Sequence, residues 1–208
     1  MLSLSQQIEL LHASTDRPNL VDVPERQLLA LDGMGHPTGP AFLEACEALV
    51  AGADAVAAVR RPRVGAPVPL GHLEAIWWKE DTASWLEAIE SPQPWHWELL
   101  IECPSRVADD DMHVALGRAA RETGALPDLE RVRLVRFTEG RSVQILHIGR
   151  FESKIDLLLR LFREVAAMGL RVASRHHEIY MTDPRRTAPE EWRTIVRYPV
   201  APINPEPS

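Results

Sequence analysis

The sequence predicts an α+β fold: two modules of antiparallel strands, each with a helix packed on one face, meeting at a central cleft about a pseudo-twofold axis. Three observations lead there. Strand-like runs and helix-period runs are interleaved along the chain. The order strand, glycine, helix, break, strand occurs twice, with Gly35 answering to Gly149 and Ala75-Ile76-Trp77 to Glu178-Ile179-Tyr180. A chain of 208 residues that is 45% hydrophobic can bury a substantial core. A cleft between similar modules is a natural ligand site, because pockets favour such interfaces.

Residues 1–22 read as a lead-in, with Leu4, Ile8, Leu10 and Leu11 spaced for a brief amphipathic helix. Residues 23–200 form the main domain, with pseudo-repeats over about 23–104 and 130–200; residues 201–208 are a Pro-rich, extended tail. The first repeat opens with a strand from Gln27 to Asp32 and a turn through Gly33, Gly35 and Pro37. Pro40 suits a first helical turn, where its missing N–H is no loss, and Phe42, Ala45, Cys46 and Leu49 follow at helical spacing. Gly52 interrupts that pattern and leaves the continuation to Arg60 open. Pro67 and Pro69 break the chain before strands Gly71 to Trp78 and Trp97 to Cys103, the second stopped by Pro104.

A connecting helix from Ala108 to Glu122 places Asp109, Asp110 and Asp111 at the positive end of its dipole; Gly124 and Pro127 end it. The second repeat holds strands Val132 to Phe137 and Ser142 to Ile148, joined by a turn at Glu139 and Gly140. The helix Ile155 to Met168 has an apolar face of Ile155, Leu158, Leu159, Phe162, Val165 and Ala166, capped by Gly169. Strands His176 to Thr182 and Thr194 to Tyr198 complete the reading.

A net charge of −7 argues against a general nucleic-acid binder, which needs a basic face for phosphate. The two cysteines, Cys46 and Cys103, form no CxxC pair, so zinc-ribbon and thioredoxin readings fail and a reducing compartment is expected. No basic n-region precedes an apolar core, and no run reaches the roughly 18 to 20 apolar residues of a membrane span. The expected location is cytoplasmic, without membrane or direct nucleic-acid partners. There is no HExxH, no GxSxG, no phosphate loop and no dinucleotide fingerprint, and the adjacent His176 and His177 point to opposite faces of their strand. No metal and no cofactor is expected.

Period-two alternation puts Glu178 and Tyr180 on one face and His177, Ile179 and Met181 on the other. The expectation is that Ile179 and Met181 lie beneath the helix Ile155 to Met168, while Glu178 and Tyr180 face the cleft. The internal match gives Trp77 the corresponding place in the first repeat. Aromatic faces hold flat or cationic molecules, and a carboxylate supplies a counter-charge, or a proton if burial raises its pKa. The ligand-binding candidates are therefore Trp77, Trp78, Trp97, Glu178 and Tyr180. The competing reading is ordinary packing, since tryptophan is often a core residue. Arg185 and Arg186 are expected to pair with acidic neighbours and fix the turn after the strand.

Four segments resemble the GyrI-like small-molecule-binding family, its stand-alone branch: Val23 to Arg26 leading into Leu31-Asp32-Gly33; Leu73 to Trp78; Gln144 to Gly149; and His176 to Tyr180 running on to Asp183-Pro184-Arg185-Arg186. The resemblance spans roughly residues 20 to 200. It implies a tandem of SHS2-like modules whose cleft binds planar, hydrophobic or cationic small molecules, with the family's acidic residue at Glu178, its aromatic partner at Tyr180 and a tryptophan pair at Trp77 and Trp78. Stand-alone relatives often carry a tyrosine-containing segment after the first helix. Ala51 to Arg60 has no aromatic residue, which implies a wider pocket. Three roles follow from the resemblance: drug binding or sequestration; a hydrolase of cyclopropane-bearing alkylating natural products, with Glu178 and Tyr180 catalytic; and a gyrase-inhibitor-like interaction with a protein partner.

Overall fold

A computed structural model describes residues 10–64, 70–82, 84–103, 107–122 and 126–203. In chain order the elements are β1 (Asn19–Val23), β2 (Arg26–Met34), α1 (Pro40–Val64), β3 (Leu73–Trp78), α2 (Trp85–Glu90), β4 (His96–Glu102), α3 (Asp109–Glu122), β5 (Arg133–Phe137), β6 (Gly140–Ile148), α4 (Lys154–Ala167), β7 (Leu170–Val172), β8 (His176–Tyr180) and β9 (Arg193–Pro202). The expected α+β class with antiparallel strands is what forms. The expectations on Leu4, Ile8, Pro67, Pro69, Pro104, Gly124 and the tail beyond residue 203 lie outside the described residues. Among the described residues no helix is long and apolar enough to cross a membrane.

The chain divides into two compact units, one over Arg26–Phe137 and one combining the N-terminal segment up to Glu25 with the chain from Thr138 onward. In the first unit, β2 lies between β4 and β5, and β4 also pairs with β3, all antiparallel. The register sets Leu31 opposite Leu99, Gly33 and Trp77 opposite Trp97, and Ala75 opposite Leu99. Alternation gives these residues one face, and α1 covers it with Phe42, Ala45, Ala48, Leu49 and Val56, all buried. Gly52 does not break α1. A Cβ there would lie 3.5 Å from Leu116 and Val132, so α1 runs straight past α3 and the segment before β5 at close range. The opposite face of the sheet has an apolar centre of Leu28, Ala30, Ile76 and Leu100, flanked by half-buried Trp78, Val135 and Phe137.

In the second unit the strand order is β1-β6-β9-β8, with β7 on the far end of β9. The segment read as a lead-in thus contributes an edge strand, β1, whose Val21 and Val23 bury against Leu10. Gly140 and Gly169 adopt the left-handed backbone that their turns require, with φ +72° each. Helix α4 does not bury the face expected of it. Leu158, Leu161, Val165 and Lys154 are buried, whereas Ile155 and Leu159 are exposed. The apolar stripe read from the sequence is rotated by part of a turn, because a lysine takes a place on the covered face.

Candidate functional site

That lysine decides which way β8 faces. Lys154 sits in the first turn of α4 and its Nζ donates to Glu178 Oε1. Glu178 therefore lies beneath α4, and the expectation that it looks away from the helix is wrong. The alternation along β8 is as expected; the side taken by the helix is not. Ile179 lies on the other face with Leu146 and Ile195, packed by Met181 and by Leu11 and Ala13 of the N-terminal segment.

Glu178 is the end of a directional chain of hydrogen bonds. Its carboxylate can only accept, so His176 donates from Nε2 at 2.8 Å. The imidazole's Nδ1 is then a bare acceptor for the Tyr198 hydroxyl, 2.6 Å away. Phe162 of α4 packs edge-on against Tyr198, with ring centroids 5.3 Å apart. Burial opposes the charge on Glu178, but the Lys154 ammonium and then His176 hold its carboxyl well below the usual carboxylate range. It is a fixed anion, not the proton source that burial alone would have made it. Burial likewise keeps His176 neutral and pushes the Tyr198 phenol up.

Two further groups border this cluster. His147 of β6 has its Nε2 3.0 Å from the Ser153 hydroxyl, which donates to the Arg150 carbonyl. Burial and the nearby Lys154 charge bring the His147 pKa down to about 4. Tyr180, two residues beyond Glu178 on the same strand face, is half-buried and within reach of solvent. On the opposite face of the sheet, Glu139 accepts from His177 Nδ1 at 2.8 Å and from Arg197 at 3.2 Å. Arg197 also donates to Gln144 and to the Leu10 carbonyl. His176 and His177 thus serve separate carboxylates on opposite faces. Among the described residues, no three His, Cys, Asp or Glu side chains converge as a metal would need. Arg185 pairs with Asp183 at 3.0 Å and fixes the turn after β8 as expected.

The tryptophans of the first unit form their own cluster. Trp77 packs on Phe42 of α1 with centroids 4.9 Å apart, and Trp97 meets Phe42 edge-on at 5.6 Å. Trp77 and Trp97 are both on the helix-covered face and only 3% and 2% exposed. Trp97 lies flat across Gly33, where a Cβ would fall 2.2 Å from its ring. Trp95 continues the cluster to Trp85, 4.9 Å away. Trp78 points to the other face, half-buried and stacked on His96 at 5.5 Å. Among the candidates, Trp78 in the first unit and Tyr180 in the second are half-buried, whereas Trp77, Trp97 and Glu178 are buried.

Sequence reasoning missed Lys154, Tyr198 and Lys79. Lys79 at the end of β3 donates to the Ser91 carbonyl at 2.6 Å and lies 4.6 Å from the Trp95 ring centre. A signal was present: only two of the chain's 23 lysine and arginine residues are lysines, and Lys154 falls in helical register with Leu158 and Leu161.

Residues 103–201 match the family model of the GyrI-like small molecule binding domain. That stretch holds the whole Glu178 cluster. An uncharacterized conserved protein from Listeria innocua has a solved structure with TM-score 0.84 and 28% identity, over 95% of this chain and 98% of that one. A hydrolase from Listeria innocua aligns with TM-score 0.79 and 27% identity, over the same shares of the two chains. The EcmrR C-terminal domain, 12% identical with TM-score 0.52 over 90% of this chain and 98% of its own, shares the fold alone. No curated protein is significantly similar to the chain.

Proposed function

Because residues 103–201 of this chain belong to the GyrI-like small-molecule-binding family, we propose that it binds a planar, hydrophobic or cationic small molecule, for sequestration or sensing, with Tyr180 as a contact surface. The family match over the segment that holds Glu178 and Tyr180 carries this reading. A half-buried ring is suited to such contact, since its polar edge stays wet while its face stacks on a flat ligand. The rigidly paired Glu178 behind Tyr180 contributes a fixed field that needs no reorganisation on binding. Titration with planar dyes, read by tryptophan quenching and by thermal shift, tests it. Saturable quenching with a raised melting temperature is expected, and Tyr180→Ala weakens binding by about three- to tenfold, the worth of one aromatic contact. Absence of binding across cationic and neutral dyes alike would overturn the reading and favour a protein partner.

The 27% identity to a Listeria innocua hydrolase over 95% of the chain supports a second reading. Here the ligand is a cyclopropane-bearing alkylating compound that gains water. The water oxygen bonds to a ring carbon, the strained C–C bond breaks, and its electron pair passes to the conjugated carbonyl and is protonated. Glu178, a fixed anion and a weak base, would orient the water through its field rather than take or give its proton. Tyr180 would donate to the developing oxyanion. Mass analysis of the recovered ligand separates the readings: one added water identifies hydrolysis, an unchanged ligand identifies binding alone.

A further inference from the structure

Both lysines of the chain are buried, Lys79 at 7% and Lys154 at 4% exposure. Wherever else the chain carries a permanent side-chain cation it uses arginine, so each amine needs its own reason. Lys154 has one in its ion pair with buried Glu178. Lys79 does not. Its Nζ meets the Ser91 carbonyl and the Trp95 ring, and among the described residues no carboxylate reaches it. The adjacent Glu80 turns away, accepting from Trp78 Nε1 at 3.2 Å. The other buried cations, Arg26 and Arg197, each hold a buried carboxylate. Arginine would serve a purely structural role better here, since a guanidinium stacks on indole and reaches carbonyls with a fork of donors. What arginine cannot do is act as a nucleophile. Burial without a compensating anion also favours the neutral amine, and the Lys79 pKa is lowered accordingly.

We infer that Lys79 is a nucleophilic amine that captures a small planar aldehyde as an imine in the aromatic cluster of the first unit. The neutral Nζ attacks the carbonyl carbon and forms the C–N bond. The resulting carbinolamine loses its hydroxyl together with an amine proton as water. The product nitrogen is uncharged, so capture leaves no unpaired charge in the buried site, whereas alkylation to a secondary ammonium would place one there. Ser91 and Trp95, which cover the amine, are half-exposed, and Pro92 to Pro94 between them are exposed. An aryl aldehyde enters from that loop and packs its ring against Trp95. Lys79 lies outside residues 103–201, so this inference stands or falls apart from the small-molecule-binding reading.

The test is reductive trapping of the full-length protein with benzaldehyde and cyanoborohydride at neutral pH, followed by peptide mass analysis. Lys79 is expected to gain the benzyl group faster than a free blocked lysine, because burial leaves more of its amine unprotonated at neutral pH. Lys154 stays unlabelled, and the advantage of Lys79 disappears in urea. Lys79→Arg keeps the charge and the carbonyl bond and loses the label. Trapping at Lys79 no faster than at the free amine, or equally fast in the folded and the urea-unfolded chain, overturns the inference. The folded-to-unfolded comparison uses the wild-type chain, so it decides even where the arginine variant fails to fold.

Discussion

Glu178 keeps its charge because Lys154 and His176 surround Oε1, and the neighbouring histidines stay neutral because burial disfavours their charge and the same ammonium repels their protons. This makes stability depend on pH with a definite sign. His147 has its pKa lowered from 6.5 to about 4 on folding. Between those values the unfolded chain binds a proton that the native chain refuses, so stability rises with pH and is lost as pH falls. His176, also lowered, acts in the same direction. Glu178 does not contribute in that window. A depressed carboxylate keeps its stabilisation down to its unfolded value of 4.5 and loses it only below. Urea unfolding at several pH values should therefore show stability already falling below about pH 6.5, with a shallower slope in His147→Gln. An unchanged slope in that variant would assign the loss to other groups.

Glycines sort by what a methyl group would meet, and two in the first unit give opposite expectations at the scale of the element. Gly33 of β2 is the floor on which Trp97 of β4 lies, and a Cβ there would fall 2.2 Å from the indole. Gly33→Ala must displace Trp97 and, through it, Phe42. The cost is about 1–3 kcal/mol, as for other overpacked cores. Gly52 in α1 offers 3.5 Å, ordinary contact distance, so Gly52→Ala gains helix propensity of up to about 1 kcal/mol. Thermal unfolding of the two variants should move in opposite directions. A rise for Gly33→Ala would mean that Trp97 does not lie across Gly33.

Gly52 also shows where the sequence was legible. As a pattern it reads as an interruption, and only the approach of Leu116 and Val132 explains a glycine inside a continuous helix. The strands and helices that carry a clear period, β2 to β6, β8, α3 and α4, are all readable. The short α2, β1 and β7 are not, because their existence depends on neighbours rather than on local pattern. The pairing of residues on faces was also readable: Glu178 with Tyr180, Trp77 opposite to Trp78. Which face a helix covers was not. Hydrophobicity favoured the Ile179 face, whereas the Lys154–Glu178 pair places α4 on the other, and a long-range ion pair leaves no periodic trace.

At the scale of the whole molecule the second unit is discontinuous: β1 comes from before the first unit and pairs with β6 from after it. The family match begins at residue 103 and so misses this strand. Its contribution is physical. β1 closes the edge of β6 from Asn19↔Gln144 to Val23↔Gly140, and Val21 and Val23 bury with Leu10. The same segment supplies the Leu10 carbonyl to Arg197 and the His12 carbonyl to Gln144. Removing residues up to Pro24 would open a hydrogen-bonding edge and leave a 1%-exposed guanidinium with one acceptor fewer. The truncated chain should melt lower, with amide exchange accelerated first in β6 and β9. The Arg26–Phe137 unit, held by its own registers among β2, β3, β4 and β5, should keep its protection. Uniform loss of protection in both units would instead mean that they unfold as one cooperative block.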